Sequence, residues 1–181
     1  MKPIFETERL VVRRWSDDPV DLARALDIYS RPEVGKWIGL DEPWRDLAEA
    51  EATLARWHAY FARHGDRYGA WAVEVRETGV VAGTLLLQPL PEPTDGEPGR
   101  GEVEVGWHFH PDSWGSGYAT ESARGALVHG FAAGLPEIYA IADPANSPSL
   151  AVMHRLGMTR VGRTRRWHGL ESECYVIASP R

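Results

Sequence analysis

A chain of 181 residues, 43% hydrophobic and 25% charged, carries enough apolar material for a real core and is expected to form one domain over residues 1–181. A formal net charge of −6 disfavours non-specific nucleic-acid binding and mildly favours cationic partners. The single cysteine, Cys174, excludes an intrachain disulfide framework and a cysteine-based zinc site.

Cys174 lies in ESECYVIA, a strand-like run, and is expected to be a small core residue. The opening MKPIFETERL lacks the apolar segment of a signal peptide, and no apolar run approaches the ~18–20 residues of a membrane span. The expected setting is soluble and cytoplasmic, with no membrane partner.

Residues 9–15 (RLVVRRW) predict a first strand. Asp18 and Pro19 supply an N-cap and a first-turn proline, and Leu22, Ala25, Leu26 and Tyr29 recur at helical spacing. Residues 18–30 therefore read as an amphipathic helix that Pro32 ends. After a loop, a second helix spans 45–63, with Leu47, Ala50, Leu54, Trp57 and Phe61 on one stripe. Residues 69–76 and 80–88 read as a hairpin turned at Glu77-Thr78-Gly79. Residues 89–101 (PLPEPTDGEPGRG) read as a mobile loop.

A strand at 102–110 (EVEVGWHFH) leads into DSWGSGYATES. A helix then runs to about Gly134, with small residues, Ala119, Ala123 and Ala126, opening an inner face that continues through Leu127, Gly130 and Phe131. Residues 137–142 predict a strand, 147–156 a short helix ended by Gly157, and 159–165 and 171–179 two last strands. The predicted order is β-α-α-β-β-β-α-β-α-β-β.

Trp114-Gly115-Ser116-Gly117-Tyr118-Ala119 sits where a strand hands over to a helix. Helix N-termini present unpaired N–H groups and a partial positive charge, and glycines remove the Cβ atoms that would keep an anion away. A diphosphate held by backbone donors fits this design without a lysine. The dinucleotide fingerprint fails, because Thr120 stands at its last position, and no Gly-Lys-Ser/Thr tripeptide exists for a Walker loop. The competing reading is a glycine turn that merely starts a helix.

A second constellation, Asn146-Ser147-Pro148-Ser149, follows the next strand. Together with it the chain resembles the GNAT (GCN5-related) acyltransferases, and within them the RimJ/RimL-type N-acetyltransferases. The family's Gln/Arg-x-x-Gly-x-Gly/Ala motif corresponds to Trp114–Ala119, with tryptophan in place of Gln or Arg. The resemblance extends through Thr7-Glu8-Arg9-Leu10, Glu104-Val105-Gly106-Trp107, Tyr118-Ala119-Thr120-Glu121, Asn146-x-x-Ser149 and Leu156-Gly157-Met158.

What the resemblance implies is a GNAT fold of α/β (α+β) class. It would hold a mixed, mostly antiparallel central sheet of about seven strands, splayed where acetyl-CoA enters, with Gly106 marking a bulge that makes the splay. The cofactor contacts would fall at Trp107, Phe109, the N–H groups of Gly115, Ser116, Gly117, Tyr118 and Ala119 together with Trp114, and Asn146. The reaction implied is direct attack of a primary amine on the thioester, with a base for the ammonium, a donor for the oxyanion and an acid for the leaving thiolate. Glu104 is the first candidate for the base, with Glu102 and His108 behind it. Ser149 takes the acid's place, because Met153 stands where many relatives carry a tyrosine. Trp37, Trp44 and Trp167 would lie in loops that wall the acceptor pocket, with core or dimer packing as the competing reading. The competing readings are a solvated rim charge for Glu102 and a local cap for Ser149.

His108-Phe109-His110 lacks a third ligand nearby, so no metal is expected. The acceptor would be a peptide N-terminus or a small-molecule amine, and a homodimer is a family expectation. The alternative is a non-catalytic acyl-CoA-binding sensor module.

Overall fold

The computed structural model describes residues 2–96 and 98–180; Glu97, inside the expected loop 89–101, lies outside them. Eight strands form one sheet: β1 (Pro3–Glu6), β2 (Leu10–Arg14), β3 (Gly69–Val75), β4 (Val81–Pro89), β5 (Val103–Phe109), β6 (Glu137–Ala142), β7 (Thr159–Thr164) and β8 (Ser172–Ala178). Their spatial order is β1-β2-β3-β4-β5-β6-β8-β7. Neighbours are antiparallel except β5 and β6. The helices are α1 (Pro19–Tyr29), α2 (Pro32–Gly35), α3 (Leu47–Ala62), α4 (Tyr118–Ala132) and α5 (Ser147–Arg155).

This is the expected order with β1 and the one-turn α2 added. Four residues beginning with proline give no readable alternation, and β1 even breaks register against β2 between Pro3 and Phe5. The capping expectations hold where they were sharpest. The Asp18 side chain accepts from the N–H groups of Val20 and Asp21 at the start of α1, behind Pro19.

The helices divide between the two faces of the sheet. Ala123, Ala126 and Leu127 of α4 pack on Leu85, Leu87, Val105 and Phe109. A Cβ on Gly130 would lie 2.8 Å from Ile138 Cδ1, so the helix sits as close to the sheet as its small residues permit. On the other face Leu22, Ala25, Ile28 and Tyr29 of α1 join Ala50 and Leu54 of α3. Cys174 is buried beside Leu90 and Trp167, and burial pushes its thiol up to about 11. No helix among the described residues is long and apolar enough to cross a membrane.

One buried ion pair joins α1 to the sheet. Asp21, 3% exposed, accepts from Arg13 Nη1 at 2.6 Å and Nη2 at 2.9 Å, and from the Ser16 N–H at 2.8 Å. Removing Asp21 leaves the largely buried Arg13 with Glu74, on its Nε at 2.7 Å, as its remaining carboxylate, and leaves both Nη groups without one. Asp21→Ala is expected to lower the unfolding free energy by about 2 kcal/mol, the scale of its lost charge-assisted hydrogen bonds with Glu74 still paired to Arg13, read by denaturant titration. A loss below about 1 kcal/mol contradicts this placement.

The feature that shapes the site is the parting of β5 and β6, which share the single residue pair Glu104–Tyr139. The bulge expected at Gly106 is absent. The β4–β5 register runs unbroken from Gly83–Phe109 to Pro89–Val103, and a bulge needs two residues opposite one. The strands part because β6 turns away, and β5 stays fully paired to β4.

Candidate active site

The pairing of β5 with β4 determines what it offers to the gap. The His110 N–H donates to Ala82 O and the Leu90 N–H to Glu102 O, which makes the even-numbered residues of β5 the ones bonded to β4. The backbone groups of Val105, Trp107 and Phe109 therefore point the other way. Past Tyr139, β6 supplies no residue opposite them. Trp107 presents a free strand edge, and Phe109 adds its N–H; the Phe109 carbonyl is taken by the Trp114 side chain.

The chain next makes a 3-10 turn at Pro111–Ser113 and enters the glycine stretch. Gly115 and Gly117 have φ of 78° and 81°, values that glycine adopts without strain. Gly117 is the N-cap of α4 and brings no capping side chain. Among the described residues no acceptor meets the N–H groups of Gly115, Ser116, Gly117, Tyr118 or Ala119. Five consecutive unpaired donors thus lie at the positive end of a 15-residue helix.

Trp114 departs from the family's Gln or Arg, and its side chain has a definite use. Its Nε1–H donates to Phe109 O at 2.8 Å, pinning the start of the loop to the end of β5. The indole is 49% exposed on the cleft wall.

The free edge and the loop open on one cleft of about 1360 Å³, above the roughly 300–1,000 Å³ that holds one drug-sized ligand. Arg9, the start of α5, the 36–39 loop and the 168–172 turn complete its walls. A long ligand and a second molecule have room there together.

Glu104 lies on the floor, 8% exposed, with Oε1 accepting from Gln88 Nε2 at 2.9 Å. Burial raises its carboxyl above the ordinary range, against smaller opposing effects from the Gln88 bond and the nearby His168. Gly106, the next residue on that face, leaves the floor open between Glu104 and His108. Burial pushes His108 down to about 4, so its imidazole is neutral at neutral pH. The Tyr29 hydroxyl donates to Thr84 Oγ1 at 2.8 Å and lies 3.2 Å from His108 Nδ1. This network fixes the ring orientation of His108 through its Nδ1.

On the far wall Asn146 Oδ1 accepts from the Ser149 N–H at 3.2 Å, so Asn146 caps α5. The Ser149 hydroxyl faces the cleft with no partner among the described residues. Met153, at the position of the family tyrosine, is buried and also lines the cleft.

Other expected residues fall elsewhere. Glu102 accepts from the Arg100 N–H at 2.7 Å and lines a separate cavity of about 290 Å³ with Tyr139, Trp167 and Cys174. Burial alone would raise its carboxyl, but backbone donors and Arg166 hold it below the ordinary range. Of the three tryptophans expected around the acceptor, Trp37 lines the cleft. Trp44 lies behind it, stacked 4.4 Å from Tyr29, and Trp167 belongs to the small cavity. His110 sits 3.1 Å from Asp27 Oδ2, outside the cleft, so it shares no site with His108. Among the described residues no group of three or more His, Cys, Asp or Glu is placed to hold a metal ion.

Two residues, Gln88 and His168, and one contact, Thr7 and Arg9 with Glu121, are not evident from the sequence. Gln88 pairs across the sheet from Glu104, which a β4–β5 register would have exposed. His168 reaches the cleft from a left-handed backbone (φ 60°), rare outside glycine and concentrated at functional sites. Thr7, Arg9 and Glu121 belong to matched motifs 112 residues apart, and only the fold brings them together.

An eight-stranded open sheet with a parted β5–β6 pair and an anion-ready loop at the mouth of α4 defines an acyltransferase architecture. The Acetyltransferase (GNAT) domain family matches residues 9–159, and the chain belongs to that family. It is 26% identical to the uncharacterized N-acetyltransferase YoaA of Bacillus subtilis (strain 168), over 100% of this chain and 99% of that one. A solved acetyltransferase from Agrobacterium tumefaciens superposes with a TM-score of 0.75 at 26% identity, covering 96% of this chain and 92% of that one. RimL, the ribosomal L7/L12 alpha-N-protein acetyltransferase solved in complex with coenzyme A, shares the fold, with a TM-score of 0.77 at 16% identity over 98% of each chain.

Proposed function

We propose that this chain is an acetyl-CoA-dependent N-acetyltransferase of the RimJ/RimL type, one domain that moves an acetyl group to a primary amine. The observation that carries the reading is the shared cleft: a free strand edge, a buried carboxylate and a loop of unpaired N–H groups, with Gly115, Gly117, Tyr118 and Ala119 on its wall, open into one space. The residues fit the group. The N–H groups of 115–119 suit a diphosphate, and the edge at Trp107 and Phe109 suits an amide-bearing pantetheine arm.

When bound, acetyl-CoA supplies an acetyl group activated as a thioester. Glu104 takes the proton of the incoming ammonium, directly or through a water, and its raised pKa suits a base that works near neutral pH. The Trp107 N–H serves as the donor for negative charge developing on the acyl oxygen. Ser149 Oγ offers its proton to the departing sulfur. The acceptor enters between the 36–39 loop and the 168–172 turn, beside Trp37. Neutral His108 lines the approach and leaves the positive charge of an ammonium unopposed.

A sensor module has no need of Glu104 as it stands. A buried carboxylate costs stability when its one hydrogen bond comes from a neutral amide and nearby His168 offsets its burial only in part. The test is thiol release from acetyl-CoA against a panel of peptide N-termini and small amines. Turnover with one acceptor class is expected. Tight CoA binding with no turnover on any amine would favour the sensor.

A further inference from the structure

We propose that Arg9 and Glu121 are a positioning pair that aims the 115–119 donors and keeps their anion site free of negative charge. The inference rests on the reading of that loop as the diphosphate cradle. It concerns the turn between β1 and β2, far from the reacting atoms.

The Glu121 carboxylate, in the first turns of α4, gathers that turn. Thr7 Oγ1 donates to Oε1 at 2.6 Å, and the Arg9 N–H donates to the same oxygen at 2.9 Å. Arg9 Nε donates to Oε2 at 2.7 Å, with Nη2 2.6 Å from it. The guanidinium then reaches past the carboxylate. Its Nη1 donates to Ser116 O at 3.1 Å, and its carbon lies 5.0 Å over the Tyr118 ring. One side chain therefore holds the carboxylate, the loop backbone and the first helical residue.

Two consequences follow from elementary geometry and charge. The peptide joining Ser116 to Gly117 is planar and trans, so its C=O and N–H point to opposite sides. Fixing Ser116 O on Arg9 turns the Gly117 N–H away from Arg9. Gly117 is needed for its φ of 81°, since a Cβ there would meet Arg9 Nη2 at an ordinary contact distance of 3.4 Å. The second consequence is electrostatic. A carboxylate near the N-terminus of α4 suits the helix dipole, yet it repels an anion bound at the same end. Arg9 cancels that charge where the diphosphate must approach. With side-chain exposures of 48% and 19%, the pair adds little to global stability, so its effect falls on the loop.

The test measures binding of CoA, 3′-dephospho-CoA and pantetheine by calorimetry or NMR titration. The proteins are the wild type, Arg9→Ala and Arg9→Ala/Glu121→Gln. In Arg9→Ala both diphosphate ligands should bind about 10- to 30-fold more weakly, the scale of one charge-assisted hydrogen bond. Pantetheine, which lacks the diphosphate, should change less than about twofold, and the melting temperature should stay close to wild type. Removing the stranded carboxylate in the double variant should recover part of the CoA affinity, which a merely structural role would not do. The proposal is overturned if Arg9→Ala binds CoA like the wild type, if pantetheine weakens equally, or if dephospho-CoA is unaffected, which would assign Arg9 to the 3′-phosphate. A wild-type chain that binds no CoA overturns the cradle reading and this inference with it.

Discussion

Glu104→Gln is expected to lower kcat/KM for acetyl transfer by about 10²- to 10³-fold while leaving CoA affinity unchanged, because it removes a proton acceptor and little else. Glutamine keeps the shape and keeps an oxygen for the Gln88 Nε2 bond. The pH profile should separate this role from a packing role. Burial raises the Glu104 carboxyl above the ordinary 4.5, so the wild-type rate should climb with pH as that group deprotonates. The variant should lack that limb. A variant with wild-type turnover would remove Glu104 from the mechanism and leave neutral His108 as the base.

Stability should move in the opposite direction. A carboxyl with a raised folded-state pKa stabilises the fold below its unfolded value and loses that contribution as pH rises through the folded value. Glutamine cannot ionise, so Glu104→Gln should unfold at the same temperature as the wild type or a higher one near about pH 8. That advantage should vanish at acid pH. A residue that costs stability where it works is what a catalytic group looks like in thermodynamic terms.

Gly117→Val is expected to weaken CoA binding by about 10²-fold, the loss of one or two charged-group hydrogen bonds. The residue sits at φ 81°, a conformation that costs an ordinary L-residue about 1–2 kcal/mol and a β-branched one more. The loop must shift to relieve it, and the N–H groups of 115–119 lose their common aim. The sheet and core lie elsewhere, so the unfolding transition should stay cooperative. Unchanged CoA affinity in this variant would mean that the loop conformation is irrelevant to binding.

Much of this was legible in the chain itself, for reasons that can be named. The glycine stretch, the capping residues of α1 and α5 and the alternation of β5 are local signals, and each element formed where its chemistry requires. Glu104, Trp107, Phe109, Gly115, Gly117, Tyr118, Ala119 and Ser149 come to one cleft because a strand, a loop and a helix start are consecutive or nearly so in the fold; Ser116 alone of the loop stays off its wall. What stayed hidden depends on pairing between distant segments. No local pattern sets Gln88 beside Glu104, or ties Thr7 and Arg9 to Glu121. The supposed bulge at Gly106 failed for the same reason: the parting of β5 from β6 is decided by where β6 goes. For Trp44 and Trp167 the sequence left pocket and core packing open, because an aromatic residue in a loop has no period to reveal its facing, and the structure packs both with buried clusters.

The most direct measurement is a titration of isotope-labelled protein with CoA, following backbone amide shifts. The account predicts the largest changes at Gly115, Ser116, Gly117, Tyr118 and Ala119, with Trp107 and Phe109 also moving. Binding that leaves these amides still, or no binding at all, would contradict it.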